Sequence, residues 1–349
     1  MTTNEVGTPA SPRTTVLVTG ATGFLGRNVL AALSRRPDVT VVAACRTPDQ
    51  LPADFTGEVR PGDLLDPEYR RTVVRGIDVV CHAGTRGTLW RHAAHARDDF
   101  YRPTIDLMEQ AIQAGVTRFL FTGTVVVATV RRDGGPSMDD SPVQRAPGWP
   151  YQRQIGAVEE WMRANSHRGT QLVAMRLGAF VGAGNTVGLV PLLVPRLRTR
   201  LVPWLAGGHS RQALVADTDL GEAFALAATA PGLGDYESFN ICGPEFPTTR
   251  EVVTFLAEQT GVRLPWYSVP FAAGYAFGWL MEALHPVLPG DVPFLTRSIV
   301  RLSEDWYCPN DHARDTIGYR PTKDWRQAIR EALADAAAEA TTTTSRSAP

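Results

Sequence analysis

The sequence predicts an α/β fold, a doubly wound parallel sheet with a smaller, mostly C-terminal substrate domain, and three observations carry that prediction. First, an apolar run, Val16-Leu17-Val18, ends in Thr19-Gly20, and Gly23 and Gly26 then open a segment in which Phe24, Leu25, Val29, Leu30 and Leu33 recur with helical spacing. Second, further short apolar runs return along the chain: Val39 to Ala44, the DVVCHAG stretch from Asp78 to Gly84, Val116 to Thr122, and Gln171 to Phe180. Strands separated by helical segments build βαβ units, and these make a parallel sheet covered on both faces. Third, 349 residues suit one large domain or two coupled ones, with ample core.

The first strand–turn–helix carries a binding site. Gly20 permits the turn, Gly23 has no side chain to block a pyrophosphate, and Gly26 lets the helix pack closely on the strand. The helix N-terminus then offers free N–H groups and a positive dipole end to phosphate. A dinucleotide held by Gly20, Thr22, Gly23, Phe24, Leu25 and Gly26 is the expectation. The spacing, Thr19-Gly20-Ala21-Thr22-Gly23-Phe24-Leu25-Gly26, resembles the signature of the extended short-chain dehydrogenases/reductases. That branch holds the NAD-dependent epimerase/dehydratase-like proteins and the hydroxysteroid dehydrogenase-like reductases. The resemblance runs from about residue 14 to 335 and implies a Rossmann-type fold with a nicotinamide dinucleotide.

The second strand should end at the adenosine ribose, where a carboxylate favours NAD and an arginine suits the 2′-phosphate of NADP. Here Cys45-Arg46 stand without a carboxylate, so Arg46 points to NADPH/NADP. The resemblance implies that Asp63 and Leu64 border the adenine, and that Ala83, Thr85 and Thr122 line the cofactor from the strand ends. His82 reads as a buried, satisfied histidine rather than a catalyst. The stretch from Thr85 to Asp99, with Arg86, Trp90, Arg91, His92 and His95, reads as a substrate-side loop without metal-ligand geometry, and no metal site is expected.

The resemblance also locates the chemistry, and this chain departs from it. In Thr122-Gly123-Thr124, the last hydroxyl matches the group that binds the reacting carbonyl. The Asp-Glu pair that sugar dehydratases carry next is Val125-Val126, so carboxylate-driven elimination lacks its groups. The stretch Pro150-Tyr151-Gln152-Arg153-Gln154-Ile155 matches the family's catalytic helix, with Tyr151 as the expected acid. Its lysine, one helical turn later on the same face, is Ile155, and the only lysine of the chain is Lys323. A family asparagine is replaced by Phe100. Without the cation, Tyr151 donates a hydrogen bond but is a poor proton relay.

The remaining chain completes the layout. Arg176-Leu177-Gly178 resembles a turn near the nicotinamide, and 187–212 reads as a mobile, apolar lid. Asp219 reads as a helix cap, and Phe239-Asn240-Ile241 as a returning strand. Thr248 and Glu251 form a capping-box pattern, and 313–333 reads as a closing helix–turn–helix. Phe271 to Leu288 is interrupted by Glu282, His285 and Pro286 and is shorter than the ~20 apolar residues of a span; it reads as a core or pocket-lining helix. The expected division is a disordered 1–13, a dinucleotide-binding domain at 14–180 with 213–240 returning to it, a substrate domain and lid at 181–212 and 241–335, and a tail at 336–349.

A net charge of -1 gives no reason to expect a nucleic acid or a membrane as partner. Cys45, Cys81, Cys242 and Cys308 are far apart, without a CxxC, and suit a reducing compartment. No apolar leader opens the chain, so a cytoplasmic enzyme is expected. The resemblance implies a homodimer as one option. The lysine-free site is similar to that of atypical ketoreductases acting on angucyclinone polyketides, which implies hydride transfer from NADPH to a ring carbonyl of a polycyclic aromatic ketone, with the proton supplied by the substrate. Two alternatives stay open: a non-redox cyclase or isomerase that keeps NADP(H) as scaffold, and a cofactor-sensing regulatory protein.

Overall fold

The structure, a computed structural model, describes residues 13–84, 97–131, 133–144, 149–185, 188–285, 293 and 295–346, with side chains as far as 338. Thr85, the loop residues Arg86, Trp90, Arg91, His92 and His95, and all of 1–13 but Arg13 lie outside the described residues.

The chain runs β1 (Thr14–Thr19), α1 (Phe24–Ser34), β2 (Val39–Cys45), β3 (Glu58–Pro61), α2 (Pro67–Val73), β4 (Val79–His82), α3 (Arg102–Gln113), β5 (Arg118–Thr124), α4 (Pro150–Asn165), β6 (Gln171–Leu177) and β7 (Ala179–Val181). It continues through α5 (Leu189–Arg198), β8 (Trp204–Leu205), β9 (Leu214–Ala216), α6 (Asp217–Thr229), β10 (Tyr236–Ile241), α7 (Thr249–Thr260), β11 (Ser268–Val269), α8 (Phe271–Leu284), α9 (Arg297–Arg301), α10 (Asp311–Ile317) and α11 (Trp325–Arg346).

Seven of these strands form one parallel sheet in the order β10-β6-β5-β4-β1-β2-β3. The expected doubly wound architecture is therefore present. Its strands are buried on both faces because alternate residues feed two layers. Val16 and Val18 join Leu25, Val29, Leu33, Leu220 and Phe224 of α1 and α6. Leu17, between them, joins Leu107, Met108, Ile155 and Val158 of α3 and α4. The strand order reverses between β1 and β4, where Thr19 stands opposite His82. The residues that follow them, Gly20 and Ala83-Gly84, therefore emerge together at the crevice where open α/β sheets bind ligands.

Three expectations need correction. The run from Gln171 to Phe180 is two strands, because at Gly178 the chain leaves the sheet. A β-carbon there would sit 2.7 Å from the Ala213 carbonyl oxygen, and the next residues pair with β9 instead. Asp219 does not cap α6, whose N-cap is Ala216; its carboxylate accepts the Thr322 and Lys323 N–H groups at 3.2 and 3.1 Å and so fixes the approach to α11. The helix at Phe271–Leu284 is not a core helix: only Gly274 and Gly278 within it are buried. The capping box at Thr248 and Glu251 is formed. Beyond β6, Val190, Val194, Leu256, Trp325 and Ile329 build a separate core between α5, α7 and α11. The stretch expected as a lid is occupied, where described, by α5, β8 and the turns after them. α11 continues through Arg346, into the stretch expected as tail.

Candidate active site

The glycine turn is built as close backbone packing requires. Gly20 has φ 65°, and a β-carbon on it would lie 2.5 Å from Gly84 Cα. A β-carbon on Gly26 would lie 2.2 Å from the Gly20 carbonyl oxygen, so α1 leans directly on the turn. Gly23 is exposed, is the N-cap of α1 and makes no side-chain cap. The first N–H groups of α1 are therefore open for an anion. Thr22 is half-buried beside them, and Phe24 stacks on Phe180 at 5.7 Å. Leu25 is buried in the core, so its backbone alone faces the turn.

Arg46 is exposed directly after buried Cys45 at the end of β2. Asp63 uses its carboxylate to accept the Leu65 N–H at 3.0 Å, and Leu64 packs on the sheet beside it. Ala83 is half-buried at the end of β4. Thr122 is buried, and its hydroxyl donates to the His82 carbonyl at 2.7 Å, tying β5 to β4. His82 is buried between partners: Thr19 Oγ1 lies 2.8 Å from Nδ1 and Thr104 Oγ1 3.5 Å from Nε2. Burial holds its pKa down to about 4, so the ring is neutral at pH 7 and works as a strand-to-helix tie.

Thr124 ends β5 half-buried, and a single turn of buried Val125, Val126 and Val127 follows. Tyr151 opens α4 and is half-buried. The two residues are brought to the same end of the sheet, because Gln152 donates to the Val126 carbonyl at 3.3 Å. Tyr151 borders both the sheet layer below it and a cluster of Val125, Val126, Trp149, Ala213, Cys242, Trp306 and Cys308. Ile155 is fully buried among Phe100, Phe121, Val127 and Val158. The Phe100 ring lies 6.4 Å from Tyr151 and 6.4 Å from Phe121. Both lost polar positions thus belong to one apolar layer, and Ile155 has no access to solvent.

Below this layer lies a buried polar frame. Arg176 and Glu159 form an ion pair at 2.7 Å with both side chains fully buried, and Arg176 also donates to the Asp139 carbonyl at 2.9 Å. Asp139 accepts the Asn240 N–H through Oδ1, and Ser238 donates to its carbonyl at 2.7 Å. Burial pushes the Asp139 pKa up. Asn310 closes the frame by accepting the Cys242 N–H at 2.8 Å and donating to the Cys242 carbonyl at 3.0 Å. Sequence reading singled out Arg176 but not its pairing with Glu159, and it missed Asp139, Trp149 and Asn310, which carry no periodic or motif signal. Among the described residues, no group of three or more His, Cys, Asp or Glu side chains is arranged to hold a metal ion. All four cysteines are free and buried. No helix of the described residues is long and apolar enough to cross a membrane.

Comparison with known proteins gives the family and the fold. Residues 16–242 match the NAD dependent epimerase/dehydratase family. The chain is 26% identical over 336 residues to a 2-alkyl-3-oxoalkanoate reductase of Stenotrophomonas maltophilia, covering 93% of this chain and 99% of that one. It is 27% identical over 314 residues to a 4-hydroxy-2-methyl-3-oxo-4-farnesyl-3,4-dihydroquinoline-1-oxide ketoreductase of Stigmatella aurantiaca, covering 86% and 90%. Its fold is similar to that of the Thermus thermophilus UDP-glucose 4-epimerase solved with NAD, with a TM-score of 0.67, 20% identity and coverage of 92% and 98%.

Proposed function

Because the chain belongs to the NAD dependent epimerase/dehydratase family, we propose that it is an NADPH-dependent ketoreductase acting on a ring carbonyl of a polycyclic aromatic ketone of the angucyclinone type. The observation that carries this reading is the surround of Tyr151. Two hydroxyls, Thr124 and Tyr151, stand beside an apolar, tryptophan-containing cluster, with no carboxylate at Val125-Val126 and no cation at Ile155. Such a site suits a flat apolar ketone and lacks the groups for dehydration. The names of the two curated relatives, both ketone reductases, point the same way. The open turn at Gly23 suits a dinucleotide, and exposed Arg46 suits the 2′-phosphate that distinguishes NADPH.

When bound, the dinucleotide supplies hydride to the carbonyl carbon. Thr124 and Tyr151 orient the carbonyl by donating hydrogen bonds to its oxygen, and the apolar cluster keeps water away. The carbonyl oxygen takes its proton from a phenol or enol next to it on the substrate, since no side-chain relay leads away from Tyr151 through Ile155, and the phenolate or enolate left behind regains a proton from water on release, so the product gains two hydrogens in all. The test is NADPH consumption on polycyclic ketones with and without that neighbouring hydroxyl, with products weighed by mass spectrometry. Turnover confined to hydroxyl-bearing ketones, with two hydrogens gained, is expected. Tyr151→Phe is expected to retain most of the rate; a loss of three or more orders of magnitude removes the substrate-assisted step. The buried, uncharged position of Ile155 also favours a second reading, a non-redox isomerase holding NADP(H) as scaffold, for which product mass would equal substrate mass.

A further inference from the structure

Six of the eight large apolar side chains that the described residues expose lie between Leu264 and Leu284: Leu264, Trp266, Phe277, Trp279, Leu280 and Leu284. Trp266 is 79% exposed and Trp279 56%. α3 and α4, which flank the sheet, expose none. The concentration follows from how α8 is held. It packs inward through glycines: a β-carbon on Gly274 would meet Leu205 Cδ2 at 2.8 Å, and one on Gly278 would meet the Thr296 backbone at 3.0 Å. Its one charged side chain, Glu282, is paired with Arg297 at 2.7 Å and nearly buried. With the small residues turned in, helical spacing turns the large ones out. Phe277, Leu280 and Leu284 form one ridge at i, i+3 and i+7, and Trp279 stands beside it among exposed Ala272, Ala276 and Ala283.

We propose that this face docks on an anionic lipid surface. The argument is the charge beside it. Arg198, Arg200 and Arg263 are exposed, and among the described residues none of them makes an ion pair. They flank exposed Leu201, Leu264 and Trp266. The two stretches are joined, since the Tyr267 hydroxyl donates to the Leu201 carbonyl at 2.7 Å, β8 pairs with β11, and α8 begins two residues later. An apolar helix face with tryptophans, bordered by exposed arginines, matches the boundary between acyl chains and phosphates, where aromatic rings and basic groups are favoured. A protein partner would call for hydrogen-bonding groups across the contact, and the outward face of α8 offers only the indole N–H. A second copy packed face to face would bring the same arginines together. Attachment here is peripheral, and it does not depend on which ketone the crevice takes.

Vesicle flotation of the full chain tests the proposal, with phosphatidylcholine alone or mixed with phosphatidylglycerol. The protein is expected to float with the mixed vesicles, and weakly with phosphatidylcholine. Phe277→Ser with Trp279→Ser and Leu280→Ser is expected to abolish flotation. Arg198→Gln, Arg200→Gln and Arg263→Gln are each expected to weaken it roughly fivefold on the mixed vesicles only, and added salt to do the same. These side chains are exposed, so the unfolding temperature and NADPH binding should stay unchanged. As a check on the unaltered fold, doxyl-labelled lipid should quench the tryptophan fluorescence, and less so in Trp279→Phe. Absence of flotation with either vesicle overturns the proposal, as does flotation indifferent to the serine substitutions. A dimer that those substitutions dissolve assigns the face to a second copy instead.

Discussion

A lysine at position 155 would not restore the relay it resembles. Ile155 is wholly buried among Phe100, Phe121, Val127 and Val158, and an unpaired ammonium there costs several kcal/mol of folding free energy. Ile155→Lys is therefore expected to lower the thermal midpoint by roughly 5–10 °C and to leave the reduction rate no higher. Calorimetry and NADPH-consumption assays on the same preparation check both halves. A stable variant with a faster rate would show that the side chain reaches the crevice after all. At the turn the constraint is backbone against backbone. A Gly26→Ala methyl would require the Gly20 carbonyl to move from 2.2 Å to ordinary contact distance, which would shift α1 away from β1 and misplace the open N–H groups. The expected result is loss of dinucleotide binding by titration, at least tenfold in Kd. For Arg46 the effect is selective. Removing an exposed phosphate partner in Arg46→Ala should weaken NADPH by about 10-fold or more and leave NADH unchanged. Equal effects on both dinucleotides would detach Arg46 from the 2′-phosphate.

α4 and β6 are joined by one buried, multiply hydrogen-bonded ion pair. Arg176 and Glu159 have no access to water, so removing one partner strands the other, a change that commonly costs about 3–5 kcal/mol. Glu159→Ala should show that loss in denaturant unfolding, and pairing it with Arg176→Met should recover part of it, because the stranded charge is gone. No recovery would mean that losing the Arg176 bond to the Asp139 carbonyl outweighs the relief of the stranded charge. This pair also marks where sequence reading stops. β1, β2, β4 and β5 were legible because short runs rich in Val, Leu, Ala and Phe suit a sheet buried on both faces, and the turn at Gly20, Gly23 and Gly26 because each glycine answers a local steric demand. Pairing between Glu159 and Arg176 depends on how a helix lands on a strand, and no local pattern records that. The break at Gly178 is set by Ala213, 35 positions later in number. Apolarity in α8 looked like core because composition cannot say whether a neighbour covers it; the inward Gly274 and Gly278 were the only local sign that the large side chains face out.

The whole molecule's acid stability is tied to the switch point of its sheet. His82 bridges Thr19 of β1 and Thr104 of α3, and burial lowers its pKa from 6.5 to about 4. Between those values the unfolded chain binds a proton that the folded chain refuses. Stability therefore falls as pH drops from about 6.5 towards 4, by at most about 3 kcal/mol in total. Asp139, Asp219 and Glu304, whose pKa values burial raises, act in the opposite sense, since their folded forms take up protons first. The informative quantity is thus the difference between wild type and His82→Asn, measured as unfolding free energy from pH 7.5 to 4.5. At pH 7.5 the variant should be the less stable, having exchanged a ring packed 5.8 Å from Phe119 for a smaller amide. As pH falls the two curves should converge, because only wild type carries the refused proton. Parallel curves would mean that the folded protein opens enough around His82 to accept the proton, and the tie between β1, β4 and α3 would then be looser than its hydrogen bonds imply.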